Sequence, residues 1–209
     1  EAGIKRISIS LDGATAESHD KFRQVPGAFS GALKGIALAK EAGLELQINT
    51  TITKQNLDEI EAILELAVSL GATSHHIFLL VPTGRGKDLA EQALSADDYE
   101  QTLNWFYDQR DRVSLHLKAT CAPHFYRILR QRAKAAGRPF NPDTFGLDAM
   151  TKGCLGGQSF AFISHIGEVQ VCGYLDVKCG DIREQTFQDI WHNSPIFKAM
   201  RDLDNYHGR

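Results

Sequence analysis

Near its start the chain carries a strand pattern, Ile4-Lys-Arg-Ile-Ser-Ile-Ser-Leu11, in which apolar residues alternate with serine at the two-residue period of a β-strand. Asp12-Gly13 ends this strand. Residues 29–43 follow with apolar side chains at helical spacing and Gly43 as the helix stop. The sequence therefore predicts one strand and one helix, which is the repeating unit of a parallel sheet.

The same unit recurs twice along the chain. Residues 44–53 form an apolar run rich in Ile and Thr, and Asn56 opens a helix that Gly71 ends. A third apolar run spans residues 75–81, and Pro82-Thr-Gly-Arg-Gly86 breaks it. Strands that alternate with helices are typical of open doubly wound sheets and of (β/α) barrels, and the period alone does not separate the two.

One more helix and one more strand follow before the pattern fades. Ser95 is placed to cap a helix that runs through Leu103 and Phe106, and residues 114–118 predict a short strand. From Gly137 onward, glycine and proline become frequent. This change in composition indicates the end of the first domain.

A second domain is predicted beyond a boundary near residue 145. Residues 160–171 have the pattern of a β-hairpin, and residues 186–200 predict one amphipathic helix. We therefore predict two domains, residues 1–145 and 146–209.

The composition describes a globular chain with a small partner. The 209 residues are 43% hydrophobic and 23% charged, which excludes a disordered or collagen-like chain. A net charge of -3 favours neither nucleic acid nor an anionic membrane surface as a partner. No apolar run reaches the roughly 18 residues that span a bilayer, and the first residues lack a signal-peptide pattern, so we expect a cytoplasmic protein.

Two cysteines have a spacing that predicts a metal site. Cys154, Gly167 and Cys172 are separated by twelve and four residues, and a hairpin with a turn glycine would bring both thiolates to one end. Paired thiolates favour a soft metal or an iron-sulfur cluster. Cys179 is either a third ligand or a buried small hydrophobe. A zinc site is disfavoured because no close C-x(2–4)-C pair exists in the sequence.

Cys121 follows a predicted strand, at the position where barrel enzymes place their sites. His124 lies three residues further along. Cys121 is therefore a metal ligand, a catalytic thiol or a packed side chain, and the sequence leaves these alternatives open.

Two of these segments resemble the radical S-adenosylmethionine (radical SAM) enzymes. Ile9-Ser-Leu-Asp-Gly13, followed by His19-Asp20 and Arg23, resembles the region of their fourth barrel strand. The spacing of Cys154, Gly167 and Cys172 resembles the opening of the SPASM or twitch domain, which holds an auxiliary cluster. Further segments resemble the haem-biosynthesis branch: Thr120-Cys-Ala-Pro-His124, Pro82-Thr-Gly-Arg-Gly86, Gly153-Cys-Leu-Gly-Gly157 and Cys172-Gly-Tyr-Leu.

The resemblance implies an α/β fold. Residues 1–145 would be the later βα units of a partial (β/α)6 TIM-like barrel, and residues 146–209 the start of a SPASM or twitch domain. The family's CxxxCxxC loop does not occur in these 209 residues, and Ala161 stands where close relatives are expected to have cysteine. We therefore expect a chain that is truncated at both ends and inactive by itself.

The resemblance also implies the chemistry of the full-length enzyme. A [4Fe-4S] cluster binds S-adenosylmethionine and cleaves it to a 5'-deoxyadenosyl radical, and the substrate is a siroheme-derived tetrapyrrole that loses acetate- or propionate-type carbon. The motifs are nearest to the didecarboxysiroheme deacetylases, and haem-forming decarboxylases are a sister group. The partners implied are the tetrapyrrole and an electron donor such as ferredoxin or flavodoxin. A peptide-modifying SPASM enzyme and a non-catalytic cluster-binding module remain alternatives.

Several residues are predicted to bind S-adenosylmethionine. Ser10 and Asp12 are placed for the ribose and Asn49 for the methionine part, because they lie on or after barrel strands. In the segment after the third strand, backbone atoms would approach the adenine and Arg85 would pair with a carboxylate. An ordinary turn and a surface loop are the alternatives. The residues predicted in this segment are Pro82, Gly84 and Arg85.

A tetrapyrrole pocket is predicted to combine arginines, aromatic side chains and an axial histidine. His124 is the predicted histidine. The arginines and aromatic side chains predicted nearby are Arg127, Arg130, Tyr126 and Phe125. The alternative for this segment is a solvated basic helix.

Overall fold

The structure is a computed structural model that describes residues 3–151 and 153–205, without the side chains of residues 85, 147 and 205. The chain divides into two compact units, Glu1–Thr151 and Lys152–Arg209, each of which is described by itself. The first unit ends at Thr151, six residues beyond the domain boundary predicted near residue 145. Phe145 packs in the core of the first unit and Asp148 pairs with Arg110, so this segment makes its contacts within that unit.

The first unit contains a parallel four-stranded sheet in the order β1-β2-β3-β4, as the alternation of strands and helices predicts. Single 3-10 segments occupy Leu57–Glu59, Gly84–Gln92, Gln109–Asp111 and Gly146–Met150. The strands and helices are β1 (Arg6–Ser10), α1 (Ala16–Arg23), α2 (Ala28–Glu41), β2 (Glu45–Ile52), α3 (Ile60–Ser69), β3 (Ser74–Leu79), α4 (Ala96–Asp108), β4 (His116–Thr120), α5 (Phe125–Ala135) and α6 (Pro142–Phe145).

The two faces of this sheet differ in polarity. Side chains on successive strand residues point to opposite faces, and one set is apolar and packs in the main hydrophobic core with helices α2 to α5. That set includes Ile48, Ile77 and Leu117. The other set is polar. One row across it consists of residues that lie side by side on the four strands, Ser10, Asn49, His76 and Lys118. We call this second side the polar face of the sheet.

Helix α1 is one element of the first unit that the sequence reading missed, and the short helix α6 is another. Its N-terminus has a capping box in which Thr15 and Ser18 satisfy each other's backbone N–H groups. Its apolar content is low, because seven of its eight residues are polar or alanine, and this hides the helical period. Helix α1 was therefore not predicted, although its cap was visible in the sequence.

The second unit contains an antiparallel sheet of three strands, β5 (Phe162–Ile163), β6 (Glu168–Cys172) and β7 (Leu175–Asp181), in the order β5-β6-β7. The hairpin of β5 and β6 was predicted, and β7 was not. Two helices follow, α7 (Phe187–Asn193) and α8 (Pro195–Arg201), and a 3-10 turn at Leu203–Asn205.

The prediction of one helix over residues 186–200 is wrong, because the chain leaves helical geometry at Ser194. The ψ angle of Ser194 is 128°, and Pro195 starts the next helix at its first turn. The break allows both helices to pack on one small core of Val169, Val171, Ile190 and Phe197. Within the described residues, no helix combines the length and apolar character that crossing a membrane requires.

Candidate functional site

The segment that follows β1 is fixed by hydrogen bonds around Asp12, which is fully buried. The backbone N–H of Asp12 donates to Nδ1 of His19 at 3.0 Å, and its Oδ1 accepts from the backbone N–H of Thr51 at 2.7 Å. Its other carboxylate oxygen forms an ion pair with Arg23. Burial raises the pKa of Asp12, and Arg23 and the Thr51 N–H offset only part of that rise.

Asn56 connects the ends of the first two strands. Its side-chain amide donates to the carbonyl oxygens of Asp12 and Thr51, both at 2.9 Å, and its Oδ1 accepts from the N–H of Thr53. Next to Asp12, a Cβ on Gly13 would lie 2.4 Å from the backbone nitrogen of His19. The SLDG segment and its downstream His and Arg thus form one packed cluster. The Asp12 carboxylate is engaged within that cluster, and its predicted contact with a ribose stays a prediction.

Ser10 and Asn49 lie opposite each other in register on the polar face, both half-buried. Oδ1 of Asn49 accepts a hydrogen bond from Gln47 Nε2 at 2.8 Å, and this contact orients the amide. The structure therefore brings together these two residues of the predicted S-adenosylmethionine site, while Asp12 lies beyond them in the buried cluster.

Two neighbouring histidines of β3 point to opposite faces, as expected for a strand. His76 joins the row of Asn49 on the polar face, where its Nε2 is buried without a hydrogen-bond partner. Burial, and then the positive charge of Lys118, lower the pKa of His76 to about 4. The ring is therefore neutral near pH 7, and its buried nitrogen is an unused polar atom next to the predicted site.

The segment after β3 is an exposed turn. The N–H of Gly86 donates to the carbonyl oxygen of Thr83 at 2.8 Å, and Gly84 has a positive φ of 56° with no atom near the position of a Cβ. Pro82 and Gly84 are exposed, so their backbone is accessible to a ligand. Their predicted contact with adenine stays a prediction, and the side chain of Arg85 lies outside the described atoms.

The segment after β4 carries the predicted catalytic residues. Cys121 adopts a left-handed conformation with φ of 59°, which is costly for a residue other than glycine. His124 is exposed, and burial of part of its ring, with a smaller contribution from Arg127, lowers its pKa. The ring of Tyr99 lies 4.5 Å from that of His124, centroid to centroid, and the Tyr99 hydroxyl donates to the Cys121 carbonyl oxygen at 3.5 Å.

The residues predicted for substrate carboxylates lie on α5 and have partners within the chain. Arg127 pairs with Glu100 at 2.5 Å, and Arg130 donates to the carbonyl oxygen of Thr151 at 2.7 Å. Tyr126 is half-buried, and burial raises its pKa. Phe125, predicted for the same pocket, is instead packed in the main core, so that prediction is wrong. Any carboxylate that binds Arg127 has to compete with Glu100.

The cysteines of the second unit lie in two different settings. Cys154 is exposed and accepts a contact from the N–H of Gly156 at 3.5 Å. Gly156 packs against Val171, the residue before Cys172, and a Cβ there would lie 3.4 Å from the Val171 side chain. Cys172 ends β6, at the end of the strand away from Gly167. Both cysteines therefore lie near the end of β6 that is away from the β5–β6 turn, which is the open end of the β5–β6 hairpin.

Cys179 lies in the bulged part of β7, between the residues that pair with Val169 and Gln170. Its Sγ lies 3.6 Å from the carbonyl oxygen of Val177, and its side chain packs against the second core. Burial raises the pKa of this thiol. This setting favours the packing alternative over a third ligand. Ala161 packs against the same core.

Within residues 3–151 and 153–205, no group of three or more His, Cys, Asp and Glu side chains is arranged to hold a metal ion. Cys121 lies in the first unit and the other three cysteines in the second. The four cysteines are therefore not assembled as one ligand set within either unit. The role of each as a metal ligand stays a prediction.

The geometry also identifies residues that the sequence reading missed. At Asn56 the sequence pattern predicts only a helix start, although this residue joins two strand ends, and the pattern assigns no role to Tyr99. Tyr99 lies 25 positions before His124 on another helix, so no local pattern relates the two. Only the packing of α4 beside α5 brings these rings together.

The fold and a family match define the class of the protein. Residues 154–208 match the SPASM family, an iron-sulfur cluster-binding domain. SuiB of Streptococcus suis bound to its precursor peptide SuiA aligns with a TM-score of 0.67 and 17% identity over 94% of this chain and 44% of SuiB. SuiB bound to S-adenosylmethionine aligns with a TM-score of 0.63 and 15% identity over the same shares. The chain therefore shares the fold of part of SuiB, with a parallel α/β unit followed by a SPASM region, as predicted.

Within this class, the chain is similar along its whole length to proteins named AdoMet-dependent heme synthase. The protein from Oleidesulfovibrio alaskensis is 56% identical over the whole chain and 54% of its own length. That from Methanosarcina barkeri is 50% identical over the whole chain and 59% of its own length. A Fe-coproporphyrin III synthase from M. barkeri is 28% identical over 97% of the chain and 55% of its own length.

The chain thus spans a little over half the length of these curated relatives. The predicted similarity to the haem-biosynthesis branch of the radical SAM/SPASM proteins is confirmed by these relatives. The two relatives with the higher identities carry the name of the haem-forming enzyme, the predicted sister group, rather than that of a deacetylase.

Proposed function

We propose that the protein is a radical SAM enzyme of haem biosynthesis that converts propionate side chains of a siroheme-derived iron tetrapyrrole. The observation that carries this proposal is the identity of 50–56% along the whole chain with haem synthases of a bacterium and an archaeon. The lower identity of 28% with the Fe-coproporphyrin III synthase favours the haem-forming step over removal of acetate groups.

The polar face fits S-adenosylmethionine. Ser10 and Asn49 offer a hydroxyl and an oriented amide in one register row, and the buried unpaired Nε2 of His76 is an unused polar atom in that row. Ser10 and Asn49 would hold the cofactor, and the exposed backbone of Pro82 and Gly84 would border it. When bound with a reduced [4Fe-4S] cluster, S-adenosylmethionine supplies the hydrogen-atom abstraction that the reaction needs.

The thiols of the second unit fit an auxiliary iron-sulfur cluster in part. Cys154 is exposed and Cys172 is half-buried, and thiolates are the ordinary ligands of such clusters. Both lie in the segment that matches the SPASM family. These two residues would hold the cluster together with further ligands that are not identified among the described residues. Because both cysteines belong to the second unit, the cluster would be bound to that unit.

The segment after β4 is the proposed tetrapyrrole-binding segment. His124 is exposed and has a lowered pKa, so its ring is neutral and able to bind iron as an axial ligand near pH 7. Tyr126, Arg127 and Arg130 would contact the flat ring and its carboxylates. Cys121, three residues from His124, would lie close to the substrate and stays the predicted catalytic thiol of this segment. The chain's own residues here bind and orient the substrate.

The test is an anaerobic assay of the full-length protein with S-adenosylmethionine, dithionite and iron-coproporphyrin III. The expected products are haem and 5'-deoxyadenosine, identified by mass spectrometry. Conversion of didecarboxysiroheme instead would assign the deacetylase reaction. Cofactor cleavage with a peptide but with no tetrapyrrole would establish the peptide-modifying alternative, and no cleavage with any substrate would favour a non-catalytic cluster-binding module. A ferredoxin or flavodoxin as the natural electron donor and a cytoplasmic location belong to the same proposal.

A further inference from the structure

The ring of Tyr99 lies against the exposed ring of His124. Their centroids are 4.5 Å apart and their planes differ by 32°, which is within the range of an offset aromatic stack. Tyr99 is half-buried in the first turn of α4 and packs against the main core, so its ring rests on a rigid element. His124 precedes α5, and one side of its ring is covered by Tyr99 while the residue remains exposed.

The same tyrosine also reaches the strained residue of the segment. Its hydroxyl donates to the carbonyl oxygen of Cys121 at 3.5 Å, and Cys121 has the positive φ of 59°. Burial raises the pKa of Tyr99 to about 12, so the hydroxyl keeps its proton and remains a donor at all ordinary pH values. One side chain therefore contacts both ends of the segment from Cys121 to His124.

We propose that Tyr99 is a positioning residue that holds the His124 imidazole in the orientation needed to bind the iron of a tetrapyrrole. This inference rests on the proposed function. An axial ligand has to present one nitrogen along one direction, and an exposed histidine otherwise samples several rotamers. The stack restricts the ring, while the hydroxyl contact supports the backbone that carries it. Tyr99 acts through His124 and does not itself contact the iron.

The test measures binding of ferric protoporphyrin IX (haemin) to the purified protein by absorbance. Tyr99→Leu removes the ring and is expected to weaken haemin binding about three- to tenfold, the range that corresponds to one aromatic pair. It is also expected to change the Soret band toward that of His124→Ala. Tyr99→Phe keeps the stack and is expected to stay within about twofold of the wild type.

The matched control lies on the same helix. Tyr107 is a partly buried tyrosine that packs against the main core, roughly 12 Å further along α4. Tyr107→Leu is expected to lower stability as Tyr99→Leu does, without changing the Soret band. An equal effect of both substitutions on haemin binding would mean that Tyr99 has only a structural role.

A second readout needs no ligand. In NMR spectra of the protein labelled in its histidine rings, the stack should shift the His124 ring protons upfield, and Tyr99→Leu should abolish this shift while Tyr99→Phe retains it. If His124→Ala binds haemin as the wild type does, the proposed axial role of His124 fails, and the positioning role with it. If His124→Ala loses binding but Tyr99→Leu changes neither binding nor the ring shift, only the positioning role fails.

Discussion

The backbone N–H of Asp12 donates a hydrogen bond to the Nδ1 atom of His19 at 3.0 Å. This contact requires that Nδ1 carries no proton, so the neutral ring has its proton on Nε2. Burial lowers the pKa of His19, with Asp12 opposing that effect, which agrees with a ring that serves as an acceptor. Asp12 of the SLDG segment and the downstream His19 thus stabilise the end of a strand, beside residues predicted to bind the cofactor.

The first prediction concerns Gly13. A Cβ at this position would lie 2.4 Å from the His19 nitrogen and from Ser18 Oγ, so Gly13→Ala must displace the start of α1. We expect a loss of about 2–3 kcal/mol in the free energy of unfolding, measured with urea, because overpacking at a backbone contact has this cost. Gly31→Ala is the control, since no atom lies within 4 Å of its Cβ position inside α2, and it should stabilise the protein by about 0.5–1 kcal/mol. Equal effects of the two substitutions would contradict the packing at Gly13.

The second prediction concerns the buried carboxylate of Asp12. Asp12→Ala leaves the Thr51 N–H without its acceptor and Arg23 without its partner. Because Arg23 is partly exposed, we expect a loss of about 2–3 kcal/mol, below the range for fully buried pairs. Glu45→Ala breaks an exposed pair with Arg6 in the same sheet and should cost less than about 1 kcal/mol. An effect at Asp12 as small as that at Glu45 would contradict the contribution of these buried contacts.

Much of the first unit could be predicted from the sequence, because its strands and helices are local patterns of period two and 3.6. The helix start at Ser95 is one such case, since its hydroxyl accepts from the Asp98 N–H as expected. Strand β7 was missed although Leu175, Val177 and Cys179 alternate with other residues at the period of a strand. Its apolar side chains are largely exposed and a bulge interrupts its pairing with β6, and no local pattern in the sequence reveals either feature. Contacts between distant elements, such as Tyr99 with His124, have no local pattern at all.

The third prediction concerns the buried hydroxyl of Thr50. Its Oγ1 donates to the Leu11 carbonyl oxygen at 2.7 Å, so it accepts from His75 Nε2–H at 2.9 Å. Thr50→Val keeps the volume but leaves two buried polar groups unpaired, and we expect a loss of about 2–3 kcal/mol in urea unfolding. Thr51→Val changes the neighbouring side chain on the polar face and should cost less than about 1 kcal/mol. If Thr50→Val left the free energy of unfolding unchanged, that result would contradict the two hydrogen bonds of Thr50 Oγ1.

The fourth prediction concerns the dependence of stability on pH. Burial, and then the neighbouring charge of His76, lower the pKa of His75 to about 4, against about 6.5 when unfolded. The unfolded chain therefore binds the proton more readily. The neutral His75 ring therefore contributes its full share of the folding stability above pH 6.5. This share, about 3 kcal/mol in total, is lost as the pH falls from 6.5 toward 4. Urea unfolding of His75→Gln should be flatter over this interval than that of the wild type, and equal slopes would show that His75 is not the titrating group.

The fifth prediction concerns which thiols hold iron. In the reconstituted full-length protein, Cys154→Ser and Cys172→Ser should each lower the iron and sulfide content by the amount of one cluster, because both thiols lie toward the open end of the hairpin in the SPASM match. Cys179→Ser should retain the iron and lower stability by about 1 kcal/mol, because its Sγ packs on the second core. Cys121→Ser, in the first unit, tests whether a thiol outside that match also holds iron. Loss of iron in Cys179→Ser would make it a ligand, and the β7 bulge would then have to open to release its side chain.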